Sequence, residues 1–248
     1  MKNDIHLVLE LILTTGQMLL ESGAETYRAE QAAEYIYESL GDGKINVFAT
    51  VTMLVVGVYA DGAHYTGIKQ IKNRDINLSN LEKINNISRL VCQKEITAEQ
   101  ALLKLGMISS EKKKRLVVAP MAGLASGIFA IIIGGGAVEF FAAFFSCFIV
   151  HIIMLYSGNI IKMPFVISFI GGFIPTLISF LITTFSGIGN IEIITIASML
   201  PFFPGVAMIT AIRDSMNGDL VSGAARGNEA VFTAAGLAVG GVFLFFIR

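Results

Sequence analysis

Two short stretches hold most of the side chains that could do chemistry. The first, SGAETYRAE at residues 22–30, brings Glu25, Arg28 and Glu30 close together. The second, PFFPGVAMITAIRDSMNGDLVSGAARGNE, opens with Pro201, Pro204 and Gly205 and continues through Arg213, Asp214, Asp219, Arg226 and Glu229. An arginine offers a planar fork of donors that grips a carboxylate through two parallel hydrogen bonds. A carboxylate beside it can carry a proton or hold the arginine as a salt-bridge gate. Two prolines three apart remove backbone donors and leave carbonyls without partners. In an apolar segment that break survives only where protein or a watery cavity satisfies those groups, as broken helices do at the substrate sites of many transporters. Binding and moving a small charged solute is therefore the chemistry these residues suit. The plainer readings are a kinked helix at residues 201–205 and a solvated loop with anchoring arginines around Arg213.

The first stretch also reads as a helix start. Ser22 with Glu25, Ser79 with Glu82 and Thr97 with Gln100 all have the form of a capping box, in which the two side chains satisfy each other's backbone donors. Gly23 offers an alternative as the left-handed end of the preceding helix. Glu25 and Arg28 are spaced for a local ion pair. Other chemistries find little support. There is no histidine pair with metal-ligand spacing, no phosphate-binding loop, no GxSxG elbow and no CxxC, so neither a metal nor a cofactor is expected. A net charge of -1 argues against nucleic acid as a partner.

These residues must be positioned by very different surroundings. The 248 residues are 54% hydrophobic with a mean hydropathy of +0.70, yet residues 1–115 carry 14 of the 18 basic and 14 of the 19 acidic side chains. Residues 116–212 contain only Glu139, Lys162 and Glu192. The expected fold is an α+β cytoplasmic domain at 1–115 followed by an α-helical transmembrane domain of about five spans at 116–248, in the bilayer of the cell membrane. The spans are expected at 116–134, 137–157, 163–185, 190–212 and 222–247. Basic residues mark the cytoplasmic side: Lys112, Lys113, Lys114 and Arg115, then Lys162, Arg213 and Arg226. They predict a cytoplasmic N-terminal domain and a C-terminus outside, with Arg248 dissenting. MKNDIHLVLE lacks the basic-then-apolar order of a signal peptide.

Inside the apolar half, Gly123 with Gly127 and Gly236 with Gly240 allow close helix packing. Pro175 should kink the third span, Pro164 sits where a helix start tolerates it, and His151 reads as a side chain satisfied by its neighbours. In the polar half, Ile5, Val8, Leu9, Ile12 and Leu19 form one helical stripe and Ala29, Ala32, Ala33, Ile36 and Leu40 another. The β-branched run INVFATVTMLVVGVYA, then Asp61-Gly62 and AHYTGIKQI, predicts an antiparallel sheet rather than another span.

LLESGAETYRAE, the β-rich stretch after it and PFFPGVAMITAIRDSMNGDLVSGAARGNEA together resemble the threonine/serine exporter family of membrane proteins. The second motif is the specific one, since its prolines, the RD pair, the GD pair and the SGxxR element occur in order. The chain looks most like a short, split form that works with a smaller, separately encoded membrane subunit, because full-length members have about twice as many spans. The resemblance implies export of small polar metabolites, threonine and serine or dicarboxylates such as succinate, driven by the proton gradient; a higher oligomer is compatible with it. Pro201, Pro204, Gly205, Arg213, Asp214, Asp219, Arg226 and Glu229 are then candidates for substrate binding or coupling. Glu25, Arg28 and Glu30 are candidates for a soluble-domain pocket or a gating surface. The chain is not expected to be an enzyme. The rival is a membrane-bound hydrolase-like enzyme with its site at Glu25, Arg28 and Glu30.

Overall fold

A computed structural model describes residues 4–72, 74–110, 115–157 and 164–246. They fall into two compact units: Met1–Lys112 with Ile209–Arg226, and Lys113–Met208 with Gly227–Arg248. Lys112, Lys113, Lys114, Lys162 and Arg248, on which the expected orientation partly rests, lie outside the described residues.

In the first unit, helices α1 (Ile5–Glu21) and α2 (Thr26–Leu40) are joined by a tight turn. Val8, Leu9, Ile12 and Leu19 are buried as the stripe predicts, and Leu11, Leu13 and Leu20 are buried too, so α1 is covered on more than one side. On α2, Ala29, Ala33 and Ile36 are buried. The turn does not contain the expected capping box. Ser22 ends α1, its N–H bonding Met18 O at 3.0 Å, and Gly23 takes a φ of +90°. That left-handed residue closes α1 by sending the Ala24 N–H back to Leu19 O. The residue before α2 is Glu25, whose side chain makes no capping bond.

Three antiparallel strands follow in the order β1-β2-β3: β1 (Lys44–Ala49), β2 (Met53–Ala60) and β3 (Ala63–Gln70). The β-branched run divides where the Thr50 hydroxyl accepts the Thr52 and Met53 N–H groups. Asp61 and Gly62 both have positive φ, as a two-residue hairpin of this hand requires. Leu54, Val56, Val58 and Ala60 alternate into the core. Two glycines let α1 approach the sheet: a Cβ on Gly16 would lie 2.5 Å from Leu54 Cδ2, and one on Gly67 would strike Leu13.

Helices α3 (Leu78–Cys92) and α4 (Ala98–Ser110) complete the polar part. Thr97 and Gln100 form the predicted box, with bonds of 3.1 and 3.3 Å. Ser79 does not cap α3. Asn77 does, accepting the Asn80 N–H at 3.1 Å, because the helix begins earlier, at Leu78.

The second unit holds α5 (Arg115–Ile132), α6 (Ala137–Ser157), α7 (Pro164–Ser186), α8 (Ile191–Met199) and a 3-10 turn (Leu200–Phe202). Helices α9 (Gly205–Met216) and α10 (Leu220–Phe246) are each divided between the units. Ala137–Tyr156 and Phe165–Ser186 are long and apolar enough to cross a membrane. The pair Ile191–Phe202 and Gly205–Met216, bent by 50°, adds a third span if counted as one, and Val117–Ile132 is a shorter apolar helix. The glycine pairs mark close approaches. Added Cβ atoms at Gly123 and Gly127 would lie 2.9 Å from Phe144 O and from the Phe140 ring, and those at Gly236 and Gly240 would meet Phe165 O and Phe169 O. Pro164 starts α7, and the helix runs on through Pro175. The His151 ring nitrogen Nδ1 lies 3.0 Å from Cys147 O, a neighbouring backbone partner. Glu139 ties two segments together, accepting the Gly136 N–H at 2.8 Å and the Asn190 N–H at 2.9 Å.

Candidate functional site

In the first unit the two motifs meet across 188 positions of sequence. Thr26, the first residue of α2, donates its N–H and its hydroxyl to Asp214 Oδ1 at 3.3 and 3.2 Å. Arg226 places Nε 2.9 Å from the other oxygen, Asp214 Oδ2, and donates from Nη2 to Ala24 O at 2.8 Å. Asp214 is completely buried and Arg226 is 8% exposed. The Arg226 contact is an ion pair by distance; its atoms are not aligned as a hydrogen bond.

Around this pair lies a second, looser layer. Glu25 is buried and receives Arg213 Nη1 at 2.9 Å on one oxygen and Arg28 Nε at 3.0 Å on the other. The two arginine side chains are 55% and 51% exposed. An exposed ion pair contributes roughly 0–1 kcal/mol, whereas removing one partner of a buried pair costs about 3–5 kcal/mol. Asp214 with Arg226 therefore dominates the energetics, and the contacts of Glu25 with its two half-exposed arginines contribute less.

Local backbone geometry sets these positions. The left-handed turn at Gly23 aims Ala24 O at Arg226 and frees the Glu25 side chain from capping. Between α9 and α10, Gly218 has φ +91° and the Asp219 N–H returns to Asp214 O at 2.9 Å. Asp219 Oδ1 then accepts the Ser222 N–H at 2.9 Å at the start of α10. A Cβ on Gly223 would strike Ser215 Oγ and lie 3.0 Å from Ala211 O, so only glycine lets the two helices come this close.

Glu30 lies on the same helix and accepts the Ala49 N–H at 2.9 Å. Burial raises its pKa, the Ala49 bond opposes the shift, and the charges of Asp219, Glu34 and Asp214 add to it. Glu25 goes the other way: burial raises it, but its backbone bond, Arg213 and Arg28 outweigh that and leave it lowered. Asp219 is also lowered, since hydrogen bonds from Ser222 and Thr26 and the charge of Arg226 overcome its burial. Two carboxylates are thus held charged beside one that keeps its proton more readily.

A raised carboxyl pKa means that the folded chain binds the proton more tightly than the unfolded chain. Stability then falls as pH rises from the ordinary glutamate value of about 4.3 through the raised value, and stays reduced above it. Glu30→Gln keeps an acceptor for Ala49 and removes the charge. Urea unfolding is expected to show it equal to the parent below that window and more stable at neutral pH; a less stable variant at neutral pH would contradict this.

Among the sequence candidates, Glu25, Arg28, Glu30, Arg213, Asp214, Asp219 and Arg226 all lie in this unit. Pro201, Pro204, Gly205 and Glu229 lie in the other. There the break is real. Pro201 sits in the 3-10 turn, Phe203 is extended, and α9 restarts with the Met208 N–H on Pro204 O at 3.0 Å. Phe203 lines a cavity of about 360 Å³ with Thr176, Glu192, Thr195, Met199 and Gly241. Sequence reasoning missed Thr26 and Ala24, and met Gly223 only as part of the SGxxR element. Thr26 lies between Glu25 and Arg28, and its hydroxyl was the available signal. Ala24 contributes only its backbone, which no residue type announces. Among the described residues no group of three His, Cys, Asp or Glu side chains converges as metal ligands would.

Two helices of spanning length and a proline-broken apolar pair are the features of a helical membrane protein. The chain belongs to the threonine/serine exporter family: the family described as "Putative threonine/serine exporter" matches residues 10–247. It is 24% identical over 230 residues to the "Probable succinate transporter subunit YjjP" of Klebsiella aerogenes, covering 91% of this chain and 88% of that protein. The protein of the same name from Escherichia coli is 24% identical over 224 residues, 88% and 86% of the two chains. The "Probable threonine/serine exporter" of Mycobacterium tuberculosis is 21% identical over 245 residues, 96% of this chain but 46% of that one. No solved structure matches the chain.

Proposed function

We propose that this chain is one subunit of a secondary-active, proton-coupled exporter of small polar metabolites, an amino acid such as threonine or serine or a dicarboxylate such as succinate. Residues 1–115 form its cytoplasmic α+β domain. Residues 116–248 form five spans, α5, α6, α7, the broken α8–α9 and α10, with the C-terminus outside. A small, separately encoded membrane subunit supplies the remaining half of the transport bundle. Two points support that partner: the relatives called YjjP are named as subunits, and the mycobacterial relative is about twice the length of the matched region.

The observation that carries this reading is the buried Asp214–Arg226 pair on α9 and α10, held by the turn at Ala24 and Thr26. Helix α9 begins at Gly205, directly after the two prolines in sequence, and carries Arg213 and Asp214 in its last turns. In this reading the break lines the solute path. Arg213 or Arg226 holds the solute carboxylate, and Asp214, Asp219 or Glu229 exchanges a proton or a salt bridge as the gate moves. Glu25, Arg28 and Glu30 form the gating surface that keeps α9 and α10 in place.

Export from proteoliposomes containing this chain and the small subunit tests the assignment. Arg226→Ala is expected to reduce export at least tenfold. Arg226→Lys, which retains the charge but loses the two-pronged donor, is expected to fall between. Normal export by well-expressed Arg226→Ala protein would remove that arginine from the mechanism.

A further inference from the structure

A groove of about 870 Å³ runs between α2 and α3 in the first unit, on residues that the transport reading does not use except for Arg28. Its volume lies within the range of about 300–1,000 Å³ typical of small-molecule sites. Arg28, Tyr27 and Tyr35 line it from α2, and Ser88 and Arg89 from α3, with Glu38 also on its wall. Two guanidinium groups against one carboxylate give the lining a positive balance.

Both cations can accept a ligand. Arg89 has no ion-pair partner among the described residues and is exposed. Arg28 meets Glu25 and the Tyr27 hydroxyl with Nε, at 3.0 and 3.3 Å, its guanidinium carbon lies 5.9 Å from the Tyr27 ring centre, and its terminal amino groups donate no hydrogen bond among the described residues. That leaves the terminal amino groups of Arg28 as a two-pronged donor, the form that suits a carboxylate or phosphate.

We propose that the α2–α3 groove is a regulatory site for a small organic oxyanion, gripped by Arg28 and Arg89 with its body against Tyr27 and Tyr35, and coupled through Glu25 to Arg213. Glu25 divides its two oxygens between Arg28, in the groove, and Arg213, on α9. An anion arriving on Arg28 competes with Glu25 for that cation and shifts Glu25 toward Arg213. By linkage, any change in the hold of Glu25 on Arg213 changes the affinity of the groove by the same factor.

Titration calorimetry on the full-length protein in detergent, with succinate, inorganic phosphate and ADP as separate probes, tests both halves of the idea. Carboxylate and phosphate ligands are told apart by which probe saturates. Arg89→Ala, an exposed change away from the Glu25 cluster, is expected to weaken the responding probe at least tenfold. Glu25→Gln removes the competing charge and is expected to tighten it about threefold or more. If no probe binding is weakened by Arg89→Ala, the site does not exist as described. If Glu25→Gln leaves the affinity unchanged or lowers it, the coupling is overturned. Neither outcome depends on export, so the transport reading stands or falls separately.

Discussion

Asp214→Leu is expected to lower the unfolding free energy by about 3–5 kcal/mol, because it leaves the buried Arg226 guanidinium without its carboxylate. The Thr26 N–H and hydroxyl lose their acceptor in the same step. Adding Arg226→Met should recover much of the loss, since a buried ion pair replaced by packed apolar side chains is often neutral or better. By contrast, Arg213→Ala removes a contact whose arginine is half-exposed and should cost under about 1 kcal/mol. Denaturant unfolding in detergent micelles measures all four proteins. A single Asp214→Leu change costing no more than Arg213→Ala would show that the pair does not anchor α9 and α10. The double variant also separates stability from transport: in the proposed mechanism it folds and does not export.

Gly223→Leu is expected to be nearly as damaging, for a steric reason. A Cβ at this position would strike Ser215 Oγ and lie 3.0 Å from Ala211 O and 3.1 Å from Ser215 N. Two of those three atoms are backbone and cannot rotate away. Overpacking of this kind costs about 1–3 kcal/mol even when the structure yields. Here yielding means moving α9 away from α10 and pulling Asp214 from Arg226. Gly223→Leu should therefore lose both stability and most export, and Gly223→Ala should lose part of each. Gly227, one turn further along α10, is the control. Nothing among the described residues lies within 4 Å of a Cβ there, and alanine is favoured over glycine in a helix by about 1 kcal/mol. Gly227→Ala should be neutral or stabilising. Equal behaviour of Gly223→Ala and Gly227→Ala would rule out the steric account.

The parts of this protein legible from sequence are those governed by near neighbours along the chain. Asp61 and Gly62 make the hairpin because positive φ is a local requirement. Thr97 and Gln100 make their capping box because the two partners are three residues apart. The glycines at 123, 127, 236 and 240 mark close helix contacts because a missing Cβ is visible in the residue type. Ser22 and Ser79 misled for one shared reason. A cap pattern states that a helix can start, and the dihedral angles of the preceding residues decide where: Gly23 turned left-handed and ended α1 first, and Asn77 reached α3 before Ser79.

By itself the sequence determined which stretches are charged and which apolar, the break at Pro201 and Pro204, and the two polar motifs worth attention. Hydropathy, proline geometry and residue chemistry are carried by the residues wherever they lie. Only the tertiary structure decided that the turn at Ala24–Thr26 packs against Arg213, Asp214 and Arg226. Glu25 and Thr26 reach partners 188 residues away because the start of α2, set by the turn at Gly23, meets the end of α9, just before the turn at Gly218. A buried charge must find its counter-charge or lose its place in the fold, and no pattern along the chain says which of the available charges that will be.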